Sequence, residues 1–241
     1  MTNGSPHSVG DYASTDVGLK NFMLGTYRYM AAAMAVTAGT AFFVGQYLIA
    51  NPQMMGLVFN PIVGLGAFFV IMFGFGAVGR KLPSMSLGGV LAFLFGFAAF
   101  MGVLMSAVTV FYNPVIIAKI FFMTVAMFAA LSFFGHTTKH NLSTYVKYAI
   151  AAFFAYIAIS FVGWFVPALQ PTGTMDIVIS VVALLAIAFI TAWETQMLKR
   201  IYYGVQGDAA MESKMSAFGA ASLLLAFINM FQILLSLFGR E

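Results

Sequence analysis

From its first apolar residues onward, the chain alternates runs of about twenty hydrophobic positions with short polar or proline-containing breaks, and it does so seven times. A helix crossing about 30 Å of hydrocarbon needs about 20 mostly apolar residues, so each run is long enough to span. The pattern predicts spans over residues 26–50, 56–79, 86–110, 114–135, 145–166, 174–192 and 215–238. Barrel strands would instead alternate polar and apolar over about 10 residues, which these runs do not do.

The breaks carry their own signals. Asn51-Pro52 ends the first span, Asn60-Pro61 lies near the start of the second, and Arg80 with Lys81 closes it. A proline in the first turn of a helix costs little, because its missing N–H would have no partner there. Asn113-Pro114 turns the chain into the fourth span, and Asn141 or Ser143 is placed to cap the fifth after the polar segment 136–144. Residues 194–214 form the longest expected internal loop. Residues 1–19, rich in Gly, Ser, Thr and Asp, lack the charged-then-apolar pattern of a signal peptide and predict a disordered cytoplasmic tail. Residues 20–241 are then one transmembrane domain.

Composition fixes the class. Of 241 residues 62% are hydrophobic and 7% charged, with a mean hydropathy of +0.96, which marks an all-α polytopic membrane protein whose first partner is the lipid bilayer. The net charge of +4 reports orientation rather than nucleic acid, because the basic residues fall on one side. With the amino terminus cytoplasmic, inside segments carry nine of them: Lys20, Arg28, Arg80, Lys81, Lys139, Lys147, Lys199, Arg200 and Lys214. Outside segments carry Arg240 alone, which requires an odd number of spans and an external carboxyl terminus. Lys119, about 7.5 Å into the fourth span, is expected to snorkel to the interface. The absence of cysteine excludes disulfides, thiolate metal sites and cysteine nucleophiles.

Candidate chemistry is sparse. Glu194 is a single carboxylate where the sixth apolar run meets the basic pair Lys199 and Arg200. An acid at the edge of hydrocarbon calls for a proton, a cation or a buried partner, unless it merely ends the helix in water. Arg28 and Arg80 are candidate partners for it. Asn229 and Gln232 are polar groups on the last span that need hydrogen bonds in hydrocarbon, to neighbouring helices or along a narrow path. His136 and His140 have the spacing of two metal ligands on one helical face, but no third ligand lies nearby in sequence, so no metal site is expected. Ser132 and His136 lie one turn apart, a poor geometry for nucleophilic attack, and no enzyme is expected. On the last span Ser216 with Ala220 and Ala217 with Ala221 let backbones approach closely, which predicts a crowded, central helix.

Three stretches resemble a known family. Phe128-Ala129-Ala130-Leu131-Ser132-Phe133-Phe134-Gly135-His136-Thr137-Thr138-Lys139 is similar to the signature of the Bax inhibitor-1 (transmembrane Bax inhibitor motif) family. Thr191-Ala192-Trp193-Glu194-Thr195-Gln196 resembles its sixth-helix motif, and residues 221–231 its seventh. The similarity covers about residues 20–239 and implies six helices around a central carboxy-terminal one. In calcium-leak members of the family, a carboxylate on helix six pairs with one on helix seven as a proton-sensitive gate. Glu194 matches the first acid, but the second position is Ala226, so that pair cannot form here. Glu-Thr on helix six without an acid on helix seven is more similar to a proteobacterial branch associated with the membrane-anchored protease FtsH. The resemblance therefore implies two activities: a pH-modulated leak with calcium as permeant ion and Glu194 as titrating group, or a non-conducting modulator of such a protease. No bound cofactor is implied, and the oligomeric state is open.

Overall fold

The structure, a computed structural model, describes residues 9–239, with side chains from residue 17 onward. Seven of its helices are long and apolar enough to cross a membrane. They are α1 (Val9–Ala50), α2 (Pro61–Lys81), α3 (Leu87–Phe111), α4 (Pro114–Thr137), α5 (Val146–Phe165), α6 (Gly173–Val205) and α7 (Ala209–Phe238).

Local chemistry sets where they begin. Asn60 and Asn113 each accept a hydrogen bond from the backbone N–H two residues on, at 2.8 Å, with Pro61 and Pro114 opening the helices behind them. The second span therefore starts at Pro61 rather than at residue 56, and Met55–Val58 is a separate single turn. Asp208 caps α7 by accepting from Met211 N at 2.9 Å. Asn141 caps the short turn Leu142–Thr144 rather than the fifth span, which begins at Val146.

Two helices run well past the expected spans. The expected loop 194–214 is mostly helix, since α6 continues to Val205 and α7 begins at Ala209. The turn between them is short, with Gly207 at φ +94°, a backbone conformation that favours glycine. At its other end the expected tail lies outside the described residues over 1–8, whereas residues 9–19 are helical and continuous with α1. Leu19, Phe22 and Met23 are buried, and the Phe22 ring meets Tyr202 of α6 at 5.5 Å. Hydropathy sees where a helix is in oil, not where it ends, and here packing between α1 and α6 holds both extensions.

Helix α7 is the centre of the bundle. It packs against α1, α3, α4 and α6, while α5 rests on α6 and α2, and both α2 and α5 are largely lipid-facing. Ser216, Ala217, Gly219, Ala220 and Ala221 are all buried, as the small-residue pattern predicts. Thr26 of α1 and Ser216 of α7 share a hydrogen bond of 3.1 Å across that interface. The six outer helices are thus not equivalent: α5 has no extensive face on α7, and α2 reaches it chiefly at one end, where Phe75 meets Phe218.

Candidate functional site

The first two family-like stretches are brought together by a close approach of backbone to backbone. Gly135 of α4 lies against the Ala192 carbonyl of α6, so close that any Cβ there would collide with backbone. Around this contact the polar segment after α4 is tied to α6. Gln196 accepts from Leu142 N at 3.0 Å, which satisfies an N–H that burial would otherwise leave unpaired, and donates to His140 O at 2.7 Å. Arg200 donates to Asn141 Oδ1 and Ser143 Oγ at 2.8 and 2.9 Å, Trp193 Nε1 to Ser143 Oγ at 3.0 Å, and Lys199 Nζ to His136 O at 3.4 Å.

Glu194 sits one position beyond Trp193 but faces the other way, toward α7. It is not a helix end, since eleven further residues of α6 follow it. The residue as a whole is half-buried, yet its Oε2 is enclosed and has no hydrogen-bond partner. Oε1 accepts a hydrogen bond of 2.6 Å from Ser222 Oγ of α7. That length is at the short end for a hydroxyl bound to a carboxyl oxygen. Ser222 is one helical turn before Ala226, so the two positions lie on the same face of α7. Ala226 is buried and offers no polar atom.

The other candidates are placed apart from it. Arg28 is exposed on α1, and Arg80 is exposed with its Nε donating to Gly76 O at 3.0 Å; neither reaches Glu194, which makes no ion pair among the described residues. Asn229 is half-buried and Gln232 exposed, and neither side chain makes a hydrogen bond among the described residues, contrary to the expectation that both find partners. Ser132 Oγ is buried without a partner, so no serine–histidine pair forms. No cluster of three metal-ligating side chains occurs among the described residues. Lys119 is exposed in the second turn of α4. Sequence reading missed Ser222 because a serine among alanines and glycines looks like a packing residue. The signal was there in its spacing, four residues before Ala226.

Seven apolar helices packed with the last at their centre, and an enclosed acid joined to that central helix, define an all-α multi-pass membrane protein. Residues 19–241 match the family described as "Inhibitor of apoptosis-promoting Bax1", and the chain belongs to this Bax inhibitor-1 family. Membership also sets it among non-catalytic membrane proteins. It is 31% identical to an uncharacterized protein of Caulobacter vibrioides, covering 94% of this chain and 91% of that one. Identity to the inner membrane protein YbhL of Escherichia coli K12 is 29%, covering 93% of each chain. Identity to the uncharacterized protein RP147 of Rickettsia prowazekii is 26%, covering 94% and 92%. Kinship with inner membrane proteins and the seven-span architecture place this chain in the inner membrane as a multi-pass protein.

Proposed function

We propose that the protein is a pH-modulated leak for calcium or another cation, in which the proton on Glu194 decides how α6 engages the central helix. The observation that carries this reading is the pairing of an enclosed Glu194 carboxyl with Ser222 through one oxygen while the other has no donor. A neutral carboxyl is adequately served by one such bond. An ionised one offers about four acceptor sites and, with a single donor, remains a poorly compensated charge among apolar helices. Ionisation then favours any arrangement that admits water or a cation to the carboxylate, which loosens α6 from α7. Because Ala226 stands where the calcium-leak relatives carry their second acid, this switch takes up one proton on one group rather than titrating as a coupled pair. Pairing of Glu194 with Arg28 or Arg80 would need a second conformation, and Asn229 and Gln232, each without a side-chain partner among the described residues, are free to line a path in it. With the amino terminus cytoplasmic, as the basic residues imply, Glu194 lies toward the cytoplasmic mouth.

The test is calcium flux from vesicles reconstituted with purified protein, measured across pH. Glu194→Gln keeps the shape and an acceptor for Ser222 but cannot ionise, so the pH response should flatten. An unchanged profile removes Glu194 from the mechanism. A wild-type protein that leaks no ions at any pH, yet copurifies with a membrane-anchored protease of the FtsH type, transfers the assignment to the non-conducting modulator. Deleting residues 1–8 should then weaken that association without unfolding the bundle.

A further inference from the structure

A lateral groove of about 570 Å³ opens between α1 and α4, which flank α7 without an extensive face on one another. Its floor is made of buried Met30, Phe128 and Phe227, the last from the central helix, and its rim of exposed Leu24, Ala129 and Phe133. The volume is that of an ordinary ligand pocket, about 300–1,000 Å³. Three observations distinguish the groove from the rest of the lipid-facing surface. Lys20 and His136 line one end of it, and Lys199 Nζ stands beside His136, bonded to its carbonyl, so an apolar trough ends in a basic mouth. From that mouth it extends along α1 to Met34, about 21 Å at ~1.5 Å per residue, and along α4 to Val125, about 16 Å. That is one leaflet's share of a ~30 Å hydrocarbon core plus the depth of a headgroup. The third is Ser132, which lines the groove with 6% exposure and whose Oγ has no partner. Among the other buried helical hydroxyls, Thr26, Thr37, Thr124, Thr191 and Thr195 donate to the carbonyl one turn back, Ser106 donates to the carbonyl three residues back, and Ser216 shares a bond with Thr26.

We propose that this groove is a binding site for one anionic phospholipid, its phosphate held at Lys20, His136 and Lys199 and one acyl chain lying in the trough over Phe227. Ser132 lies about one turn deeper than His136, about 6 Å, the depth at which the ester carbonyl below a phosphate can accept its hydroxyl. The lipid would thereby bridge α1 to α4 across a face of the central helix where the two helices share no extensive contact. Charge complementarity selects the headgroup: each lysine near the surface favours an anionic lipid by about fivefold.

The experiment uses the full chain in detergent, followed by native mass spectrometry after delipidation and titration with phosphatidylglycerol or phosphatidylcholine. The wild type should retain one phosphatidylglycerol in preference to phosphatidylcholine. Lys20→Ala should lower that preference about fivefold, and Ala129→Trp, at an exposed rim position that leaves the core untouched, should abolish retention of both lipids. Glycerol phosphate alone should not displace the lipid, because it lacks the chain that fills the trough. Equal retention of the two lipids, retention unchanged in Ala129→Trp, or displacement by glycerol phosphate would overturn the site. Recovery of a polypeptide in place of lipid, lost with Ala129→Trp, would overturn it too.

Discussion

Replacing Ser222 with alanine removes the donor that Glu194 Oε1 has in the bundle, and the size of the effect follows from two opposed contributions. Hydrogen bonds between membrane helices average about 0.6 kcal/mol and reach about 1.7 kcal/mol, whereas bonds to charged groups run about 1.5–3 kcal/mol. A 2.6 Å bond to an enclosed carboxyl belongs in the overlap, so its loss should cost about 1–2 kcal/mol. Against this, alanine is a better helix former than serine by up to about 0.7 kcal/mol. Ser222→Ala should therefore destabilise the protein by about 1 kcal/mol while Glu194 is present. In a Glu194→Ala background the bond is already gone, and only the helix preference remains. There the same substitution should be neutral or stabilise by a few tenths of a kcal/mol, about 0.7 at most. The change of sign is the diagnostic result. Four proteins unfolded at equilibrium in mixed micelles would measure it, and the coupling should exceed the ~0.5 kcal/mol within which independent sites add. It should also be larger at pH values where Glu194 is ionised, because a charged acceptor makes the stronger bond. A coupling under about 0.3 kcal/mol at every pH would refute the pairing and the mechanism built on it.

Further outcomes follow from the contacts around it. Gly135→Ala gains up to about 1 kcal/mol of helix preference but drives a methyl group into the Ala192 backbone, where overpacking costs about 1–3 kcal/mol. Because backbone cannot swing aside, the melting temperature should fall by about 2–8 °C, whereas Gly66→Ala, which meets nothing within 4 Å, should leave it unchanged or raise it. Gln196→Leu strands the Leu142 N–H, at about 1–3 kcal/mol for a buried group left unpaired, and removes the bond to the carbonyl of exposed His140. Hydrogen exchange over residues 138–145 should accelerate by tenfold or more, and unchanged exchange would show that Arg200, Trp193 and Lys199 hold the segment without Gln196. Ser216→Ala, which breaks only the 3.1 Å bond to Thr26, should cost no more than about 0.6 kcal/mol in the same unfolding measurement.

The seven spans were legible because run length against bilayer thickness is a coarse and robust signal, and the central place of α7 was legible in its small residues. The ends were not. Glu194, Lys199 and Arg200 look like the start of a loop if charge is equated with water, but Lys199 and Arg200 spend their donors on the 136–144 segment and the helix continues beneath them. Glu194 itself stood out as a lone acid, while the residue it bonds did not, since the choice of Ser222 over Ala226 depends on the rotation of α7 against α6. Arg28 and Arg80 were reasonable partners by charge; both are exposed, and Arg80 turns back to the Gly76 carbonyl of its own helix.

The uninterrupted course of α6 has a mechanical meaning. At ~1.5 Å per residue its 33 residues extend about 50 Å, against a ~30 Å core, so roughly 20 Å stands clear of the oil as a stiff stalk. Tyr202, near its tip, is clasped by α1 at Gly18 and Phe22 and lies about 12 Å from Glu194 along the same rod. Whatever pulls on that clasp, whether a neighbouring protein or a shift of the amino-terminal helix, moves a lever whose other arm carries the carboxyl group.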